Sequence, residues 1–106
     1  MANGSLGKGM TQQGQYVNLY SVPADVLFAT ASVNLVNMGQ DDATVRIAIG
    51  TSEIPGPADH VDYNSVIPAN GGILERTCIV CSANENINIF ADSDSVAIRI
   101  YGLEQR

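Results

Sequence analysis

Charge is scarce in this chain of 106 residues. Asp, Glu, Lys and Arg make up 15% of it, against roughly a quarter in an ordinary soluble domain. Bases are scarcer still, with five Lys and Arg against eleven Asp and Glu and a formal net charge of −6. Without a basic patch nothing complements a phosphate backbone, so nucleic acid is not an expected partner. Tryptophan is absent, cysteine occurs twice and histidine once. One histidine cannot supply the several imidazoles that a metal-dependent β-sandwich enzyme gathers on neighbouring strands. No stretch approaches the ~20 apolar residues of a membrane-spanning helix, and no apolar signal core opens the chain. Neither a membrane nor a secretory signal is therefore expected. With so few charges to cover the outside, part of it is expected to face another protein rather than water.

What the chain has instead is period-two alternation. Hydrophobic residues make up 45% of it, and from Gln15 onward they fall at every second position, as in half-buried strands. Tyr16, Asn18 and Tyr20 alternate with Val17 and Leu19. Leu27, Ala29, Ala31, Val33 and Leu35 mark one face of the next strand, and Thr30, Ser32 and Asn34 mark the other. Val45, Ile47 and Ile49, then Ile87 and Ile89, then Val96, Ile98 and Ile100 are further inward sets. Gly39–Asp42, the Pro/Gly-rich stretch 50–59, Ile67–Gly72, Ser82–Glu85 and Asp92–Asp94 break the pattern as turns. Seven or eight strands at about ten-residue spacing, with no amphipathic helix, point to an all-β antiparallel sandwich of jelly-roll-like kind.

Residues 1–14, M-A-N-G-S-L-G-K-G-M-T-Q-Q-G, are polar, glycine-rich and aperiodic. They are expected to form a flexible N-terminal arm ahead of a single β-sandwich domain spanning 15–106. The arm is not a phosphate-binding loop. That motif, G-x-x-x-x-G-K-[ST], would need glycine at Ala2 and a hydroxyl at Gly9.

The remaining motifs carry no chemistry. Cys78-Ile79-Val80-Cys81 spells C-x-x-C, but residues three apart on a strand lie ~10 Å apart and point to opposite faces, too far for a disulfide. Cys78 is expected in the core and Cys81 as a packed or partly exposed thiol. His60, between Asp59 and Asp62, reads as a loop or edge histidine, since sequence adjacency does not assemble a triad. Asp92 and Asp94 offer two oxygens where calcium wants six to eight ligands. No G-x-S-x-G occurs. No catalytic residue, cofactor or metal site is therefore expected.

The outward positions are more informative. Phe28, Val36 and Met38 share the parity of Thr30 and Ser32, Phe90 that of Asn88, and Tyr101 that of Arg99. Such a face is a partner-interface candidate, the alternative being that strand ends curl inward or a bulge swaps parity, so that some of these residues belong to the core. Arg46 and Arg99 take matching outward places in the similar stretches A-T-V-R-I-A-I-G and V-A-I-R-I-Y-G. With Leu6, Lys8 and Met10 as anchors on the arm, the expected interface set is Leu6, Lys8, Met10, Phe28, Val36, Met38, Arg46, Phe90, Arg99 and Tyr101.

The string I-P-A-N-G-G-I-L-E-R-T-C-I-V-C-S-A-N-E-N-I-N-I-F, with A-T-V-R-I-A-I-G and the terminal I-R-I-Y-G-L-E, resembles small β-sandwich virion proteins of tailed bacteriophages. Its reach is roughly residues 16 to 104. The resemblance implies a non-enzymatic β-sandwich structural module on the capsid or tail and does not fix which. The expectation drawn here is a capsid decoration (cement) protein bound to the shell. The expected partners are further copies of itself, as a homo-oligomer with a trimer first, and the major capsid or a tail protein. It implies a place on the virion, assembled in the host cytoplasm. A tail- or fibre-associated module is the alternative within that family. From another class, a carbohydrate-binding sandwich is the rival, against which stand the missing tryptophan and six Tyr and Phe scattered through the chain.

Overall fold

The computed structural model describes residues 3–105, which form two four-stranded antiparallel sheets. In chain order the strands are β1 (Asn3–Met10), β2 (Gln15–Ser21), β3 (Phe28–Asn37), β4 (Ala43–Gly50), β5 (His60–Ile67), β6 (Gly72–Ser82), β7 (Asn86–Ala91) and β8 (Val96–Gln105). One 3-10 turn, Pro57–Asp59, precedes β5. The front sheet has the order β1-β8-β3-β6, and the back sheet β2-β7-β4-β5.

The core is the inner faces of the two sheets pressed together. β3 alternates buried and half-buried positions along its length, so Ala29, Ala31, Val33 and Leu35 all point inward. Val45 and Ile47 from β4, Ile87 and Ile89 from β7, and Val96, Ile98 and Ile100 from β8 meet them. These are β-branched for the most part, which suits a pleated, packed surface. At one end, buried Asn37 joins four segments. Its Nδ2 donates to the carbonyls of Asp41 (2.8 Å) and Ile67 (3.1 Å), and its Oδ1 accepts from the Gly39 N–H (3.0 Å) and the Ser95 hydroxyl (3.2 Å). A fully satisfied polar group of this kind fixes where strands end without an unpaired-group penalty.

Residues 3–10 are not a free arm. They are strand β1, paired with β8 from Asn3↔Leu103 to Met10↔Ala97. Met1 and Ala2 lie outside the described residues. Glycine has low strand propensity, which hid this strand, but the chain needs glycine here. A Cβ on Gly7 would lie 2.3 Å from the Leu19 carbonyl oxygen of β2, and one on Gly9 would lie 3.1 Å from the Leu19 side chain. β1 thus closes over β2 at a distance that side chains forbid.

Every edge strand carries a register shift, and the central pairings β3–β8 and β4–β7 carry none. Leu6 is the extra residue in β1 and Leu19 in β2, and both pack against the core on that side. Bulges at edges twist the ladder away from further pairing. They also flip parity. Tyr20, which shares sequence parity with Tyr16, is buried while Tyr16 is half-exposed.

In β6 the extra residue falls at Thr77-Cys78, where Cys78 has φ 60°. Cys78 is therefore exposed, and Ile79 and Cys81 turn inward, the reverse of simple alternation. Both thiols are free. Burial, with Glu85 nearby, pushes the Cys81 thiol up to about 11. Leu27 also departs from its expected inward place and is 68% exposed. It precedes β3, and Val22 and Val26 of the preceding turn fill the core there.

At the β5/β6 side, Arg76 reaches across from β6 to Asp62 on β5. Its Nε lies 2.6 Å from Oδ2, and its Nη2 donates to Oδ1 at 3.1 Å. Ser65 also donates to that oxygen, at 2.7 Å. An ion pair thus links edge strands β5 and β6 of the two sheets on this flank.

Candidate functional site: two outer faces

Directly opposed residues of antiparallel strands share a face, so the register sets out the front sheet's outer surface in rows. One row, Met10–Ala97–Val36–Ile73, is apolar across all four strands. Met10 is 42% and Ile73 63% exposed. Beside it runs a polar row, Lys8–Arg99–Asn34–Glu75. Asn34 Nδ2 donates to Glu75 Oε2 (3.0 Å), and the Tyr101 hydroxyl donates to the same oxygen (3.2 Å). Gly4, Asn34, Glu75, Arg99 and Tyr101 line a shallow depression of about 400 Å³ there. Farther along, Val80 and Leu103 flank Thr30 and are exposed, and Phe28 follows at the end of β3. Met38, just past β3, is exposed as well.

The back sheet's outer face is built differently. Tyr16, Phe90 and Arg46 are opposed across β2, β7 and β4. On β5 a bulge at Asn64 (φ 55°) puts both Tyr63 and Asn64 beside Arg46. The guanidinium carbon of Arg46 sits 4.3 Å from the Tyr63 ring centroid and 4.6 Å from that of Phe90. Arg46 Nε donates to Asn64 Oδ1 at 2.8 Å. Tyr16 lies against Phe90, with centroids 5.2 Å apart, and His60 meets Tyr63 edge-on at 5.0 Å.

His60 Nδ1 faces the Pro57 carbonyl at 3.3 Å, and Nε2 lies 2.8 Å from the Tyr16 hydroxyl. A carbonyl only accepts, so in the neutral ring Nδ1 carries the hydrogen and Tyr16 donates to Nε2. Tyr16, Arg46, Pro55, Pro57, His60 and Tyr63 line an open cleft of about 530 Å³.

Of the expected interface residues, Lys8, Met10, Phe28, Val36, Arg99 and Tyr101 belong to the front sheet's outer side, and Met38 is exposed one residue past β3. Leu6 does not, because its bulge turns it onto the core. Arg46 and Phe90 are on the opposite side of the sandwich, in the aromatic cluster. Tyr16, His60 and Tyr63 were not in the expected set. The six Tyr and Phe are scattered in sequence, yet Tyr16, Tyr63 and Phe90 gather here. Among the described residues, no group of three or more His, Cys, Asp and Glu could hold a metal ion, and no helix is long and apolar enough to cross a membrane. No protein-family model, curated protein or solved structure matches the chain.

Proposed function

We propose that this domain is a jelly roll and serves as a non-enzymatic structural protein of a tailed-phage virion, a capsid decoration protein that binds the shell and stabilises it. The strand pairing supports the jelly-roll reading. β1 pairs with β8, β2 with β7, β3 with β6 and β4 with β5. This is one long antiparallel ribbon folded at β4–β5 and rolled, so that successive pairs alternate between the sheets. Eight-stranded rolls of that kind recur in viral capsid domains and lectins.

The observation that carries the functional reading is the apolar row Met10–Ala97–Val36–Ile73 on the front sheet, with Phe28 and Leu103 exposed on the same side. Few charges interrupt it, and burying such a row against another protein gains about 25 cal/mol per Å² of apolar surface. Lys8 and Arg99 beside the row add two cations suited to acidic groups on the partner. In this reading the domain works by covering seams between subunits, as a homo-oligomer with a trimer as the expected state.

The test is co-sedimentation of the purified protein with undecorated shells and, separately, with purified tails. Binding to shells, with a rise in the temperature at which they rupture, is the expected result. Binding to tails alone would move the domain to the tail. Binding to neither, together with a monomer by light scattering at high concentration, would overturn the structural role.

A further inference from the structure

We infer that the cleft on the back sheet is a binding site for an acidic saccharide, a sugar carrying a carboxylate of the uronic- or sialic-acid class. The observation beneath it is the state of Arg46. Among the described residues Arg46, like Lys8 and Arg99, has no carboxylate within salt-bridge distance, and unlike them it lies over two aromatic rings in a cleft. The two acids that flank His60 are engaged elsewhere. Asp59 accepts from the Gly56 N–H at 2.9 Å, and Asp62 is held by Arg76. The cleft lining contains no carboxylate at all.

The cation is also held in a fixed orientation. Tyr63 and Phe90 lie within stacking distance of the guanidinium, and Asn64 occupies Nε. Rings and amide together restrain the group, leaving the two Nη nitrogens to make paired hydrogen bonds to a planar carboxylate. Around that fork the cleft offers what a sugar ring requires. Pro55, Pro57 and the 59%-exposed Tyr63 present apolar surface for C–H faces. Tyr16, which spends its hydrogen on His60 in the neutral-ring tautomer, keeps lone pairs to accept from a sugar hydroxyl. The volume of about 530 Å³ falls within the range that accommodates small-molecule ligands.

The site does not depend on the virion reading, but it is compatible with it. A sandwich docked through the front sheet leaves the back sheet facing solution.

The test uses the isolated full chain, with two-dimensional NMR titration of methyl glucuronide and of the α-methyl glycoside of sialic acid. Methyl glucoside serves as the neutral control, and acetate and inorganic phosphate as bare anions. The expected result is saturable shifts at Tyr16, His60 and Tyr63 with one or both acidic sugars, at least about tenfold tighter than with the neutral sugar or with acetate. Arg46→Lys keeps the charge but not the fork and should weaken binding about tenfold or more, whereas Arg99→Gln on the other face should leave it unchanged. Far-UV circular dichroism of each variant checks that it is folded. Equal binding of the neutral sugar, equal binding of acetate or phosphate, full retention of affinity in Arg46→Lys, or no saturable shift with either acidic sugar would each overturn the inference. None of these results bears on shell binding, which is read in a separate experiment.

Discussion

The two outer faces of this sandwich are made from the same kind of strand and do opposite things with their large side chains. On the front sheet, Met10, Val36, Ile73, Val80 and Leu103 stand apart in rows, and Ile73, Val80 and Leu103 turn most of their surface to solvent. On the back sheet, Tyr16, Tyr63, Phe90 and His60 lean on one another and on Arg46. A row of unpartnered aliphatic groups is worth most when a broad surface covers it. A restrained cluster around one cation is worth most to something small that fits between the groups. On the two proposals above, the front is a face for covering and the back a face for gripping, and that division can be broken experimentally.

The largest effect should come from charging the row. Met10→Glu with Ile73→Glu places carboxylates at both ends of it, on edge strands where exposed substitutions usually cost no more than about 0.5 kcal/mol each. Association with the shell should weaken at least about a hundredfold, roughly 2.8 kcal/mol, while the melting temperature stays within a few degrees. Co-sedimentation and calorimetry on the same sample read both. Unchanged binding would remove the front sheet from the account.

Next in size is Gly102→Ala, which acts on the backbone beneath that face. A Cβ there would lie 2.0 Å from the Thr30 carbonyl oxygen, at φ 153°. The cost should be about 2 kcal/mol or more, near 10 °C in melting temperature for a domain this size. Gly14→Ala, with no atom within 4 Å of its added methyl but φ 72°, should cost about half as much. Differential scanning calorimetry ranks the two, and equal costs would mean that close approach in the front sheet is not what requires Gly102.

High pH should loosen the core that holds the two faces together. Burial, and secondarily the hydrogen bond to Glu104, raises the Tyr20 hydroxyl above its ordinary 10.0. Cys81 is raised from 9.0 to about 11. In both cases the unfolded chain releases the proton at lower pH than the folded one. The stability they contribute is therefore intact below pH 9 and falls as pH rises toward the folded values, by up to about 1.4 kcal/mol per unit for each group. Tyr20→Phe should flatten the part of the denaturant midpoint profile that begins near pH 10. If the variant kept the same alkaline slope, Tyr20 would not be its source.

The smallest effect concerns the thiols. Cys78 on its bulge should react with a disulfide reagent in the native protein, and Cys81 only on unfolding. One fast thiol out of two is the expected count. Two fast thiols would place Cys81 outside the core.

The inner faces were legible in the sequence because each depends only on local alternation. Val33, Leu35, Ile47, Ile89, Ile98 and Ile100 are all buried where period two puts them. The edges were not legible, because a bulge is decided by the partner strand. One extra residue in β6 exchanged the places of Cys78 and Cys81, and one in β2 separated Tyr20 from Tyr16. Strand β1 was hidden by its glycines, whose reason lies in the approach to Leu19, a residue in another sheet. The aromatic cleft was out of reach for the same cause. Tyr16, Arg46, Tyr63 and Phe90 come from four strands whose pairing is long-range, and only the Asn64 bulge brings Tyr63 over Arg46.

Cryo-electron microscopy of intact virions bears most directly on the central claim, that the front sheet is the covering face. The expected result is density for the sandwich on the particle with Met10, Val36 and Ile73 against a neighbouring subunit and the Arg46 cleft open to solvent. A sandwich seated through its back sheet, or a particle that lacks the protein altogether, would contradict it.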